Sequence, residues 1–379
     1  MTSCTGKMFL YDFHIDSFDD VKGATSMRLY GMNAKRKTIC LQISDFCPYV
    51  YIALPPLPGR MKWNKNLAKK VFGDAWLKQK LSERRVNNVG IRFVKRKKLY
   101  SPQITSTGVD NKFPFLQCRF ATRIGIYALK KLLYSPVLIP SIFSKKMYFK
   151  IHESNADEIL QLVCNTGIPT AGWINYPGIK ARSPATSADR EVKVSYENIS
   201  PLACADPVDP LVMSFDIEAY SHQVGKFPDA KHPDDQIFMI SCVFFRNSSK
   251  KFEREVLLTL GNPKDDVVGA ECIRFKIEAE LIEGFSKLVR EMNPHIITGW
   301  NILGFDIEYM IERSIQLAAF RTLSITGMHK SRGATKPKTI KWKSAAYSTQ
   351  EFQYLPWEGR ILVDLLPVIR RDHKLSNYK

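Results

Sequence analysis

The feature that most constrains this chain is the alternation of apolar strands with amphipathic helices from residue 211 onward. Strand patterns cover three segments, LVMSFDIEAY (211–220), DQIFMISCVFFR (235–246) and REVLLTL (254–260). The second is almost continuously apolar, so we expect it to be buried on both faces. KIEAELIEGFSKLVREM (276–292) predicts a helix with one core-facing stripe, made of Ile277, Leu281, Ile282, Phe285, Leu288, Val289 and Met292. A strand, a helix, and a strand running into a helix follow at 294–300, 305–320 and 359–372. This order is typical of an α/β fold.

The preceding part of the chain has a mixed α+β pattern. Residues 1–60 are predicted to be β, with the clearest strand patterns in 39–56, and further strands are predicted at 146–152 and 171–177. Helices are predicted at 62–86 and 155–167, and residues 119–134 read as a strand end running into a short amphipathic helix. Asn155 is the candidate N-cap of the last helix and Gly167 its C-cap. Residues 178–210 are rich in Pro, Ser, Ala and charge, which predicts a surface connection. Because 379 residues exceed one ordinary domain, we expect two, at 1–205 and 206–379.

Two carboxylates share one face of the first α/β strand. Side chains alternate along a strand, so Phe215 and Ile217 point to the core while Asp216 and Glu218 point away, with Cα atoms roughly 6.5 Å apart. Asp306 follows at the start of a predicted helix, where an acid is electrostatically favoured. Taken singly, each acid also fits an exposed strand edge or an ordinary helix start. Together, the three suit Mg²⁺ or Mn²⁺ and a two-metal site for phosphodiester hydrolysis.

The excess of positive over negative charge comes from one region of the chain. The formal net charge is +19, and residues 51–150 alone hold 22 Lys and Arg against 3 Asp and Glu. A concentrated basic field favours a polyanionic partner, most often nucleic acid, over an anionic membrane or a merely soluble surface. Its densest part includes Lys95, Arg96, Lys97 and Lys98, which we predict to contact DNA phosphates. Residues 329–343 add a second basic stretch that reads as a loop or hairpin.

The cysteines and apolar runs exclude several protein classes. The eight cysteines form no C-x-x-C pair, so nothing in their spacing indicates a zinc motif or a disulfide framework. The longest apolar run, IFMISCVFF, is half the length that a membrane-spanning helix needs. The first residues lack the basic and apolar regions of a signal peptide. We therefore expect an intracellular protein with reduced thiols.

The motifs themselves resemble those of family B DNA polymerases. FDIEAYS (215–221) resembles the first exonuclease motif of that family, and IITGWNILGFDIEYMIERS (296–314) resembles the second. The likeness extends to three further segments in the expected order, at 45–55, 150–178 and 359–379. The 150–178 segment is similar to the delta-type enzymes, which indicates a polymerase of eukaryotic or large-DNA-virus type.

The resemblance implies a fold and residue roles. It implies an amino-terminal DNA-contacting domain followed by a ribonuclease-H-like 3′–5′ exonuclease domain. Asp216, Glu218 and Asp306 correspond to the metal-binding and catalytic carboxylates, with two Mg²⁺ or Mn²⁺ ions in a complete site. Asn301 and Phe305 correspond to residues near the frayed primer end. The implied partners are primer–template DNA with its single-stranded 3′ end, in a nucleus or a viral replication factory.

The sequence departs from the family pattern in two respects. The third exonuclease motif, a Tyr and an Asp a few residues apart, is not found, and neither are the palm motifs. Asp364 is no substitute, because it lies at a strand end in a segment that the family uses structurally. We therefore expect the amino-terminal portion of a polymerase, as a fragment, a split product or a truncated gene, which alone would be inactive. The remaining palm, fingers and thumb, and a sliding clamp, would be partners. A stand-alone exonuclease and a non-catalytic DNA-binding module are the alternatives.

Overall fold

The computed structural model of the chain describes residues 3–16, 25–57, 59, 61–70, 72, 77–84, 86, 90–98, 112–139, 143–263, 268–330, 335–342, 350–373, 375, 377 and 378. These residues form a mixed α/β fold, which confirms the predicted fold class. The strands are β1 (Ser3–Asp16), β2 (Ser26–Met32), β3 (Thr38–Ile43), β4 (Tyr49–Ala53), β5 (Gly90–Lys97), β6 (Lys112–Arg119), β7 (Ile151–His152), β8 (Gly172–Lys180), β9 (Arg190–Lys193), β10 (Ser200–Pro201), β11 (Val212–Ala219), β12 (Ile237–Phe245), β13 (Arg254–Leu260), β14 (Glu271–Phe275), β15 (Ile296–Gly299), β16 (Lys338–Trp342), β17 (Gln350–Tyr354) and β18 (Ile361–Asp364). The α-helices are α1 (Lys65–Ala68), α2 (Lys78–Ser82), α3 (Arg123–Leu132), α4 (Glu158–Thr166), α5 (Glu278–Met292), α6 (Asp306–Gln316), α7 (Phe320–Ser324) and α8 (Leu365–Asp372).

Five strands of the amino-terminal part close into a barrel. β1 pairs antiparallel with both β2 and β8, β2 pairs with β3, β3 runs parallel to β9, and β9 returns to β8. The short β10 pairs with β8 outside this ring. Apolar side chains from these strands form a fully buried cluster that includes Met8, Leu10, Leu29, Leu41 and Ile174. Closure leaves these five strands without an open pairing edge between them.

A second sheet, in the order β5–β6–β4–β7, lies between this barrel and α3. Alternate residues of β4 and β6 point to opposite faces. Ile52 and Leu116 join a buried cluster with Leu129 of α3, while Tyr51 and Phe115 join the cluster of the barrel. Both faces of the middle of this sheet are therefore covered, and β5 forms its outer edge.

The third sheet, in the order β14–β13–β12–β11–β15–β18, carries the predicted carboxylate strand at its centre. β11 pairs antiparallel with β12 and parallel with β15, and β18 continues the parallel side. Helices α5 and α6 contribute Phe285 and Ile307 to one core with Phe215 of β11. The sheet and its helices thus hold β11 between neighbours on both sides.

Buried polar contacts join the barrel to the third sheet. Glu358 accepts hydrogen bonds from Arg28 and from the hydroxyl of Tyr30, both of which belong to β2. The hydroxyl of Thr38 in β3 lies 3.1 Å from Nε2 of His295, just before β15. All these side chains are buried, so the two parts of the chain meet through specific hydrogen bonds.

The segment 178–210 differs from the predicted surface connection. It contains β9 and β10, and β9 is a full member of the barrel, with Val192 buried. The buried carboxylate of Glu191 accepts hydrogen bonds from the amide and the hydroxyl of Thr186. The interpretation as a simple connection is wrong because strands of four and two residues are too short to display alternation. The division of the chain at residue 205 stays a prediction.

Two predicted burial patterns also differ in the structure. β12 is buried on one face only, because Ile240, Cys242 and Phe244 are buried whereas Phe238 is 41 % exposed. Ile277 is not part of the α5 stripe. It is the N-cap residue, with extended backbone, and is 56 % exposed, so the apolar stripe begins at Leu281.

The predicted element bounds need four corrections. Asp157, rather than Asn155, caps α4 by accepting a hydrogen bond from the amide of Leu160, and Gly167 is the left-handed C-cap as predicted. The strand predicted at 146–152 is reduced to β7. The helix predicted at 305–320 divides into α6 and α7 around Ala318, whose φ is +57°. Only α1 and α2 are α-helical among the described residues of 62–86. The basic stretch 329–343 includes β16, which pairs with β17 as a hairpin strand.

Candidate metal centre

The alternation of β11 has the predicted orientation. Met213, Phe215 and Ile217 are buried, whereas Asp216 and Glu218 are exposed on the opposite face. Parallel pairing with β15 covers only the first residues of β11 and ends at the pair Ser214 and Thr298. The carboxylate half of β11 therefore extends past the end of β15, which leaves space for the turn and helix that follow.

Asp306 occupies that space. It is the first residue of α6, is 2 % exposed, and its Oδ1 accepts a hydrogen bond of 3.0 Å from the backbone amide of Ile217. This bond brings Asp306 against the stretch of β11 between Asp216 and Glu218. Burial raises the pKa of Asp306 to about 7; the Ile217 amide opposes this rise, and the neighbouring Asp216 carboxylate adds to it. Without a cation, the carboxyl of Asp306 therefore takes up a proton close to neutral pH.

The chemistry of the three donors fits a hard divalent cation. All three are carboxylates, which Mg²⁺ and Mn²⁺ prefer. Burial disfavours the ionised form of Asp306, and the positive charge of a cation bound beside it would favour that form. Asp216 and Glu218 remain open to solvent, so a ligand can reach them. The ligand atoms of the three carboxylates do not all lie within 4.8 Å of one another, so at least one pair of these oxygen atoms is farther apart than that.

The turn between β15 and α6 positions Asn301 and Phe305. Asn301 is half-buried in a left-handed conformation with φ +60°, and its backbone oxygen accepts hydrogen bonds from the amides of Gly304 and Phe305. Gly299 is required at the start of this turn, because a Cβ there would lie 2.5 Å from the carbonyl oxygen of Phe215. The half-buried ring of Phe305 contacts Phe227 edge-to-face, at 5.5 Å between centroids. Both predicted residues thus lie in the turn that leads to Asp306.

Asp364 has the structural role that the sequence predicts. Its Oδ1 accepts hydrogen bonds from the amides of Asn301 and Leu366, and its Oδ2 accepts one from the amide of Leu303. It therefore caps α8 and fixes the 301–303 turn at the same time. This buried carboxylate accepts hydrogen bonds from three backbone amides, so its role is structural.

The basic cluster at Lys95, Arg96, Lys97 and Lys98 lies in and just after the edge strand β5. All four side chains are exposed. Strand alternation puts Lys95 and Lys97 on one face and Arg96 on the other. Lys98 packs over the ring of Phe113 at 4.5 Å. Within the described residues, no hydrogen bond or ion pair connects these four side chains to Asp216, Glu218 or Asp306. Their contact with DNA stays a prediction.

Sequence reasoning missed the loop that supports α6. Arg313 of α6 is 1 % exposed, pairs with the buried Glu278, and donates hydrogen bonds to the carbonyl oxygens of Ala230, His232 and Pro233. The available signal was an arginine next to the apolar residues of a predicted helix, which indicates a buried partner.

Comparisons with known proteins agree with the motif pattern. A family model described as "DNA polymerase family B, exonuclease domain" matches residues 149–379. DNA polymerase 120R of Invertebrate iridescent virus 3 is 34 % identical, with 98 % of this chain and 33 % of the relative covered. The DNA polymerase delta catalytic subunit of Glycine max is 28 % identical, with 93 % and 32 % covered. The chain thus spans about a third of the length of these relatives.

A solved structure supports the fold. The family B DNA polymerase of the archaeon Pyrobaculum calidifontis superposes with a TM-score of 0.61 at 19 % identity, over 96 % of this chain and 37 % of that one. At this identity the likeness concerns the fold alone. Among the helices that the structure describes, none combines the length and the apolar character needed to cross a membrane.

Proposed function

The chain belongs to DNA polymerase family B, and from that premise we propose that residues 206–379 act in 3′–5′ hydrolysis of DNA within a DNA-directed DNA polymerase. Residues 1–205 would form the amino-terminal domain that contacts DNA. The observation that carries the proposal is the hydrogen bond from the amide of Ile217 to Asp306, which holds Asp306 against the strand that carries Asp216 and Glu218. The polymerase activity, the palm, fingers and thumb, and a sliding clamp belong to the same proposal.

The carboxylates would hold the metal and the substrate phosphate. Family B exonuclease domains generally depend on divalent metal ions. A bound Mg²⁺ or Mn²⁺ would polarise the phosphodiester and activate water. Asp216 and Glu218 are exposed and would be the accessible ligands, whereas Asp306 is buried and fixed by the Ile217 amide, so it would set the depth at which a cation binds.

The turn residues would position the DNA end. The ring of Phe305 contacts Phe227, which is 82 % exposed, so an aromatic surface is available to an unstacked base. Asn301 is held in its left-handed turn by the hydrogen bond that its backbone amide donates to Oδ1 of Asp364. These residues would orient a single-stranded 3′ end next to the carboxylates, and precise orientation is a large part of catalysis.

Metal binding tests the assignment directly. We expect calorimetry to detect Mn²⁺ binding by the 1–379 chain, and this binding to be lost in Asp216→Ala/Glu218→Ala. Glu280→Ala/Glu283→Ala removes two exposed carboxylates from α5 and is the matched control, which should bind Mn²⁺ like the wild type. Equal Mn²⁺ affinity in the Asp216→Ala/Glu218→Ala chain would contradict the proposal.

Nuclease activity separates the proposal from a stand-alone exonuclease. The sequence after residue 314 contains no Tyr-x₃-Asp, so we expect the 1–379 chain to degrade single-stranded DNA negligibly even with metal bound. Rapid degradation that is abolished by Asp306→Ala would instead favour the stand-alone enzyme. DNA binding without any Mn²⁺ binding would favour the non-catalytic module.

A further inference from the structure

The loop between β11 and β12 brings together a second group of metal-binding side chains. His222, His232 and Asp235 each offer one ligand atom, and these atoms all lie within 4.8 Å of one another. No other group of three histidine, cysteine or acidic side chains among the described residues is this close. Asp235 is fully buried, while the side chains of His222 and His232 are 30 % and 35 % exposed. The carboxylate of Asp235 therefore lies inside the protein, and the two imidazoles lie on the side of the group that is open to solvent.

The distances between the donors suit a zinc ion. Nδ1 of His222 lies 2.7 Å from Oδ1 of Asp235, and Nδ1 of His232 lies 3.7 Å from the same oxygen. Two ligands of a tetrahedral zinc ion are about 3.3 Å apart when each bond is about 2.0–2.1 Å. The two observed distances bracket this value.

One ring must rotate for both histidines to bind the same ion. The imidazoles of His222 and His232 are stacked, with centroids 3.6 Å apart and planes 9° from parallel. Lone pairs in parallel planes do not converge on one point. His232 is the more exposed ring, and its Nδ1 has only a long hydrogen bond of 3.4 Å from the amide of Asp234. This ring already lies beside Asp235, and a rotation out of the stack would take its lone pair out of the plane parallel to the ring of His222.

The backbone of the loop is already fixed. Arg313 donates to the carbonyl oxygen of His232, and the hydroxyl of Tyr309 donates to that of Asp235 at 2.8 Å. The carboxylate of Asp235 accepts the amides of His222 and Asp229. A metal would therefore bind to a preorganised loop rather than having to fold it, which favours affinity.

We propose that His222, His232 and Asp235 bind one Zn²⁺, with water in the remaining position. Two imidazoles and one carboxylate suit zinc, whereas the all-carboxylate group of Asp216, Glu218 and Asp306 suits Mg²⁺ or Mn²⁺. The two sites would thus take different metals on one domain. The zinc proposal does not depend on the nuclease activity.

The test uses the Asp216→Ala/Glu218→Ala chain as its parent, so that the carboxylate centre cannot take up the added metal. We expect this parent to retain one zinc per chain after dialysis, measured by elemental analysis, and to release it to a chelator. His222→Ala/His232→Ala in the same background should retain none. Each single histidine variant should bind zinc at least about tenfold more weakly, since even residues that only support a metal ligand cost that much.

Two controls keep the outcome decisive. His373→Ala removes an exposed histidine elsewhere and should leave the zinc content unchanged. Thermal unfolding should be followed for each chain without and with Zn²⁺, and added Zn²⁺ should raise the midpoint of the parent but not that of His222→Ala/His232→Ala. No zinc on the parent, or equal zinc on His222→Ala/His232→Ala, would overturn the proposal. Failure here would leave the Mn²⁺ experiment unaffected.

Discussion

His295 makes the stability of this fold depend on pH in a way that can be calculated. The ring is 4 % exposed, and its Nδ1 accepts a hydrogen bond of 3.1 Å from the amide of Leu211, immediately before β11. Nε2 therefore carries the proton in the neutral ring and donates it to the hydroxyl of Thr38. Burial, together with the positive charges of Arg246 and Arg360, lowers the pKa of His295 to about 4. Protonation of Nδ1 would break the bond to Leu211.

The sign of the pH dependence follows from the two pKa values. In the unfolded chain His295 takes up a proton below about pH 6.5, whereas in the folded chain it stays neutral until about pH 4. The unfolded state binds more protons in this interval, so stability falls as the pH is lowered through it. The loss is about 2 kcal/mol at pH 5 and approaches about 3 kcal/mol below pH 4.

The assay compares wild type with His295→Asn, whose amide oxygen can replace Nδ1 as the acceptor. Free energies of unfolding would be measured in urea at pH 7 and pH 5 for both chains. Other groups that titrate in this range, such as Asp12, whose pKa burial raises to about 6, are present in both chains and cancel in the comparison. The wild type should lose about 2 kcal/mol more than the variant between the two pH values. Equal losses would refute the account of a buried neutral ring.

Two further predictions concern charged side chains. Arg313→Met should lower the free energy of unfolding by about 3–5 kcal/mol in urea, because it leaves Glu278 buried without its partner. Arg313→Met/Glu278→Leu should recover part of that loss, and a double variant less stable than the single one would contradict this reading. If the basic edge strand contacts DNA, neutralising either Lys95 and Lys97 or Arg96 and Lys98 to Gln should flatten the salt dependence of primer–template binding. A pair that makes both contacts contributes about 1.4–1.8 to that slope, and Lys336→Gln/Lys338→Gln should leave it unchanged. A wild-type slope in both edge-strand variants would exclude this DNA path.

Features set by local alternation could be predicted from the sequence. The inward and outward faces of β11 follow from a period of two, and Asp306 at the first turn of α6 follows from the helical pattern. The contact between Asp306 and the Ile217 amide could not be predicted, since it requires knowing that β15 stops pairing at Ser214. Asn155 and Asp157 are both good capping residues, and only the backbone geometry selects Asp157.

The histidine loop was missed for a related reason. His222 and His232 are ten residues apart in a polar loop, which matches no metal-binding spacing. Asp235 brings them together only because its carboxylate accepts the amides of His222 and Asp229 inside the fold. The strands β9 and β10 were missed because four and two residues are too few to display the alternation of a strand.

Helix α6 mechanically links the carboxylate centre to the histidine loop. Asp306, Tyr309 and Arg313 are spaced by three and four residues, so they lie along one face of the helix. The first bonds to the amide of Ile217 in β11, while the other two hold the carbonyl oxygens of Asp235 and His232. A displacement of α6 would therefore move the buried carboxylate and both loop attachments together. Local changes in the loop need not have this effect, because His222 and His232 project from its exposed side. The position of Asp306 should consequently depend far more on Arg313 than on either histidine.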